Sequence, residues 1–126
     1  MQKNQSSRSI GDIGENAVCD FLVRNGYEIV KRNFTVRGGE IDIIAKKDGV
    51  TAFVEVKTRQ VGALEECEQA ITAYKKRHIV KTAEVYISRL EEPCECRFDV
   101  AAVQIRDNKI VHLKYYVNAF DASICQ

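Results

Sequence analysis

Two short stretches place charged side chains where apolar ones are expected. "GGEIDIIA", residues 38–45, carries Asp42 among isoleucines, and "AFVEVKTR", residues 52–59, carries Glu55 and Lys57 two positions apart. Side chains alternate across a strand. Phe53, Glu55 and Lys57 therefore share one face of the second run, and Ala52, Val54 and Val56 the other. In the first run Asp42 and Ile44 share a face, opposite Ile41, Ile43 and Ala45. Two carboxylates brought together in an apolar sheet repel each other and lose hydration. A divalent cation relieves both penalties, and Mg²⁺ is commonly held by one or two carboxylates together with water and phosphate oxygens. Asp42 and Glu55 are thus candidate ligands for Mg²⁺, with Mn²⁺ as a substitute, and a main-chain carbonyl near Val56 would add an oxygen. Lys57 would reach the same site, to orient or help deprotonate an attacking water or to offset charge on a phosphate. The plain alternative is a Glu55–Lys57 ion pair at a wet sheet edge, which contributes little.

Glu15 is a third candidate, on the first helix beside Val18 and Leu22, where it would close one side of the site as a metal or water ligand. It also fits a capping box with Asp12. Both readings stand on sequence alone.

These groups need a sheet and helices to hold them. Gly14, Ala17, Val18, Phe21 and Leu22 recur at helical spacing, and Asn25-Gly26 ends that helix. Strand-like runs follow at 27–36, 40–46 and 50–58, separated by turns at Gly38-Gly39 and Asp48-Gly49. The second turn makes its flanking runs antiparallel neighbours and brings Asp42 towards Glu55. A long helix is expected over 65–88, with an apolar stripe through Cys67, Ala70, Ile71 and Tyr74 that shifts near His78, where a bend is expected. Pro93 lies beyond its end. Strands at 97–105 and 109–114 come last, and the tail "YYVNAFDASICQ" is expected to dock on the body. Helix, three strands, long helix, two strands predicts an α/β domain whose mixed central sheet has helices on both faces.

The chain's 126 residues fit one domain, with 1–10 as a flexible tail and 11–126 as the folded unit. The net charge of +1 argues neither for nor against a nucleic-acid partner. Five cysteines, an odd count without an export signal, predict free thiols and a cytoplasmic protein. Cys94-x-Cys96 lacks the spacing of a zinc knuckle. No run approaches the length of a membrane-spanning helix, so no membrane partner is expected.

With "GGEIDIIA" and "FVEVKTR" in view, the chain resembles the UPF0102 or YraN-like family, predicted nucleases with a restriction-endonuclease-like fold, distantly similar to archaeal Holliday junction resolvases. The resemblance runs from about Gly11 to Phe120. It implies a core motif of Asp42, Glu55 and Lys57, with the helix glutamate of resolvase-like members at Glu15. It also aligns Arg32-Asn33, Gly39 to Asp42, Lys75, Arg97 to Ala101, and Asn118-Ala119-Phe120 with family segments. Where the family often has Phe-Gly and then Pro, this chain has Leu64-Glu65 and Cys67.

Phosphate contacts need Lys and Arg on one surface. The candidates are Arg32, Arg37, Arg59, Lys75 and Arg77, with Lys31, Lys76 and Lys81 as further cations. Arg59 is the strongest because it closely follows Lys57, whereas the helical run "KKRHIVK" has a solvated face as its plain alternative. Tyr74, Tyr86, Tyr115 and Tyr116 form no stacking ladder and read as packing residues. Asp99 reads as an anchor for Arg97 or the tail. No base-reading motif is evident, so recognition of DNA shape fits better than recognition of sequence. The expectation is a Mg²⁺-dependent endonuclease on structured or branched DNA, and a homodimer would suit such a substrate. The alternatives are a non-catalytic DNA-binding protein that keeps the fold, or a protein-interaction module with an apolar patch on the tail or the 62–68 loop.

Overall fold

A computed structural model describes residues 7–62 and 71–122. The elements are α1 (Ser7–Arg24), β1 (Glu28–Val36), β2 (Gly39–Lys47), β3 (Val50–Gln60), α2 (Ala73–Ser88), β4 (Glu95–Arg106) and β5 (Lys109–Phe120). The strands form one sheet in the order β1-β2-β3-β4-β5. β1, β2 and β3 are an antiparallel meander, β3 and β4 pair in parallel, and β4 and β5 are antiparallel. A parallel neighbour requires a crossover, and α2 supplies it. The result is a mixed sheet with a helix on each face, consistent with a restriction-endonuclease-like core. No helix among the described residues is long and apolar enough to cross a membrane.

The two faces hold separate cores. Val18, Cys19 and Leu22 of α1 pack on Ile43, Ala52, Val54, Ala101, Val103 and Ile105. Ile79, Val80 and Ala83 of α2 pack on Phe34, Ile41, Ile44, Phe53 and Phe98. The doubly apolar character of β3 follows from this, because a central strand covered on both sides exposes neither face to water.

One strand departs from simple alternation. Ile41 lies in the α2 core with Ile44, not with Ile43 and Ala45 as alternation predicts. On the neighbouring strand, Arg32 opposes Ile43 while Phe34 opposes Ile41, and Asn33 between them has φ 55°. This left-handed residue turns β1 over within one position, and asparagine tolerates that conformation better than most residues.

Helix boundaries also move. α1 already begins at Ser7, within the stretch read as a tail, so Asp12 and Glu15 stand well inside the helix and form no capping box. α2 begins at Ala73, where the Thr72 hydroxyl accepts from the Lys75 N–H at 3.1 Å. It runs on through His78 as one helix. The expected earlier part of that helix, including Cys67 and Ala70, and the Leu64-Glu65 positions lie outside the described residues. So does most of the 62–68 loop.

The chain after Lys114 is not a separate docking tail; β5 continues to Phe120. Asp99, fully buried, ties it down. It accepts from Arg97 Nε at 3.0 and 3.1 Å, from the Tyr115 hydroxyl at 2.6 Å and from the Asn118 N–H at 2.8 Å. Arg97 in turn donates to the Tyr27 hydroxyl. Asp99 thus anchors both Arg97 and the final strand, and this cluster is structural.

Candidate active site

Asp42 and Glu55 meet where β2 and β3 part. The ladder between these strands runs from Lys47↔Val50 to Ile43↔Val54 and stops there. Asp42 and Glu55 are the next residues on each strand. Continuing the ladder would put them directly opposite each other. Instead the Asp42 Oδ2 accepts the Val56 N–H at 2.8 Å, taking over a main-chain donor of β3. A side chain thereby replaces a strand, and the sheet opens.

Two glycines let other elements close on this opening. A Cβ on Gly14 would lie 2.1 Å from the Thr58 Oγ1, so α1 lies directly against β3 beside the gap. A Cβ on Gly39 would lie 2.0 Å from the Thr82 Oγ1, which brings the start of β2 equally close to α2. The opening forms a cavity of about 660 Å³ lined by residues of α1, β1, β2 and β3. Its walls include the acids Asp12, Glu15, Glu40 and Asp42 and the cations Lys57 and Arg59. Burial and the neighbouring acids push the Asp42 carboxyl upward, against the opposing pull of the Val56 N–H.

Glu55 lies behind this wall, 6% exposed. Its pKa is pushed up to about 8, first by burial and then by the Asp42 charge, against the pull of Lys75 and Lys57. Its hydrogen bond with Asp42 favours the proton on Glu55 and the charge on Asp42. The two carboxyls therefore share one proton near neutrality. The cation beside Glu55 is Lys75, with Nζ 3.5 Å from Oε2, and β3 is a central strand. The wet edge strand expected for a plain Glu55–Lys57 ion pair is absent, because β3 is central and Glu55 is buried.

Glu15 occupies the opposite wall, 7% exposed. Its Oε1 accepts from Arg32 Nε at 3.0 Å, Arg32 Nη2 at 2.7 Å and Asn33 Nδ2 at 3.1 Å. Arg32 Nη2 also donates to the Asn16 Oδ1 at 2.8 Å. Arg32, read from sequence as a phosphate contact, here holds a carboxylate, and the pairing raises its own pKa. Lys75 is likewise engaged, with Glu55. Arg59 lines the cavity and donates from Nη1 to the Thr58 carbonyl at 3.1 Å. Arg37 and Arg77 line none of this cavity. Sequence reasoning gave Asn33 no role of its own, although the polar break "KRN" in an otherwise strand-like run marks where β1 turns over.

A model of the "Uncharacterised protein family UPF0102" matches residues 14–103. A UPF0102 protein of Trichlorobacter lovleyi is 45% identical over 93% of this chain and 94% of its own length. Another, from Symbiobacterium thermophilum, is 43% identical over 92% of this chain and 99% of its own. The chain belongs to the UPF0102 family. The matched stretch of this UPF0102 protein contains Glu15, Arg32, Asn33, Asp42, Glu55, Lys57 and Lys75.

Among the described residues no three His, Cys, Asp or Glu side chains are grouped closely enough to hold a metal by themselves. Two adjoining carboxylates are nonetheless a suitable donor set for a hard cation that keeps waters and takes substrate oxygens. Their upward pKa shifts come first from burial and then from neighbouring carboxylates, a combination met at functional sites.

Proposed function

We propose that this protein is a metal-dependent endonuclease of structured or branched DNA, related to the restriction-endonuclease-like nucleases and acting in the cytoplasm. The reading rests chiefly on one observation: Asp42 and Glu55 are the two residues next to the opened end of the β2–β3 ladder, beside an acid-lined cavity that Lys57 also lines. Asp42 and Glu55 would hold Mg²⁺ or Mn²⁺. When bound, the ion supplies charge to the phosphate oxygens and acidifies a water. Lys57 orients the attacking water and stabilises charge developing on the phosphate. Glu15, held in place by Arg32 and Asn33, aids placement of that water from the opposite wall. The water oxygen bonds to phosphorus, the bond to the 3′-oxygen breaks, and that oxygen takes up a proton.

The test is incubation of purified protein with duplex, flap, fork and four-way junction DNA in Mg²⁺ or Mn²⁺. Cleavage of a structured substrate is expected, and Lys57→Ala and Asp42→Ala each lose it. Cleavage that survives either change refutes the mechanism. The small number of clustered ligands favours one second reading, a DNA-binding protein that cuts nothing. Binding that is indifferent to metal, with no product, is its signature.

A further inference from the structure

A second cavity, outside the acid-lined one, sits between the turn joining β1 to β2 and the face of α2 beside it. It measures about 200 Å³ and is lined by Val36, Arg37, Gly38, His78, Lys81, Thr82 and Val85. Its charge is the reverse of the first. Arg37 and Lys81 are both exposed cations, and no acid is among the lining residues. The two cations come from opposite walls, Arg37 from the strand turn and Lys81 from the helix, so a ligand between them meets both.

The separation of these walls is fixed. Gly39 abuts Thr82 so closely that an added Cβ would overlap its hydroxyl, and that hydroxyl donates to the His78 carbonyl at 2.8 Å. His78 is held as well: its Nδ1 lies 3.0 Å from the Tyr74 carbonyl, and its ring packs on Tyr74 at 4.2 Å between centroids. A groove with set walls, a cation on each and no competing carboxylate is suited to an oxyanion.

Its position relative to the first site defines the ligand. Lys75, His78 and Lys81 stand on successive turns of α2, and Lys75 reaches Glu55. Six residues of helix span about 9 Å. Each nucleotide advances a DNA strand by about 3.4 Å along the duplex axis. Along the helix axis the groove is thus offset from Lys75 by roughly the length of two to three nucleotides.

We propose that the Arg37–Lys81 groove seats a backbone phosphate of the DNA strand, a few nucleotides from the linkage that enters the Asp42–Glu55 site. This rests on the nuclease reading above and gives that site a second anchor, contacting backbone and not bases.

The test compares wild type, Arg37→Ala/Lys81→Ala and a charge-matched control, Lys46→Ala/Lys47→Ala, at the turn joining β2 to β3. DNA affinity is measured by fluorescence anisotropy on a four-way junction in Ca²⁺ across a range of NaCl. Hydrolysis of bis(p-nitrophenyl) phosphate in Mn²⁺ is measured alongside, because that diester is too short to reach the groove. The groove variant should bind DNA roughly 10-fold more weakly, with the salt slope lowered by about 1, at roughly 0.9 per phosphate contact. Its rate on the small diester should equal wild type, and the control should change neither quantity. If groove variant and control bind alike while wild type binds DNA, the groove proposal is overturned and the nuclease reading stands. If wild type binds no DNA and hydrolyses neither substrate, both fall. A groove variant slowed equally on the small diester also overturns the proposal, since its effect would then lie at the first site.

Discussion

Glu55→Gln should make the metal-free protein more stable, and only above mildly acidic pH. In the unfolded chain Glu55 ionises at its ordinary 4.5, whereas burial and Asp42 push it up to about 8 in the folded protein. Below pH 4.5 it is protonated in both states and carries no penalty. As pH rises towards 8 the unfolded state gives up its proton and the folded state resists, so folding loses about 1.4 kcal/mol per unit. The loss is about 3 kcal/mol near pH 7 and levels off at about 5 kcal/mol above the folded pKa. Glutamine has the same shape, keeps a donor for Asp42 and carries no charge. Urea denaturation in EDTA should find the variant level with wild type near pH 4.5 and about 3–5 kcal/mol more stable near pH 8.5. Excess Mn²⁺ should narrow or reverse the difference, since a ligand at a hundredfold its Kd stabilises by about 2.7 kcal/mol and the variant has lost one of its two carboxylates. A variant no more stable than wild type at alkaline pH in EDTA refutes the account of two carboxyls forced together.

Asn33→Ala should cost about 1–2 kcal/mol more than Asn33→Gly, because glycine keeps the left-handed backbone. Both variants lose the bond to Glu15 and should slow cleavage; equal stabilities would remove the case for a required φ. Asp99→Asn should destabilise by about 3–5 kcal/mol in urea, since Arg97 then keeps its charge without a counter-charge; a loss under about 1 kcal/mol contradicts this. Gly14→Ala should cost about 1–3 kcal/mol by forcing α1 from β3, and adding Thr58→Ala should recover most of it by removing the overlapping hydroxyl. No recovery in the double variant would mean that the contact does not set the helix position.

The sheet was legible because its strands obey local rules. Asp48-Gly49 closes β2 on β3, and the doubly apolar β3 signals cover on both sides. Asp42, Glu55 and Lys57 stood out because a charge in such a strand demands a reason. Asn33 was harder to read, since a single left-handed residue reverses facing without altering composition, and Ile41 was accordingly assigned to the wrong core. The engagement of Arg32 and Lys75 was also hidden. Their partners Glu15 and Glu55 lie 17 and 20 positions away, and nothing local in the sequence joins them. The final strand was cut short at Lys114 because its hold on the sheet passes through Asp99, a nonlocal anchor.

The parting of β2 from β3 has a kinetic meaning. The gap is maintained by the Asp42–Val56 hydrogen bond and by two helix contacts that only glycine permits, all within the rigid framework. It is thus a standing entrance, already open before any partner arrives. Among the described residues the opening depends on no hinge, so arrival there can proceed at the pace of encounter.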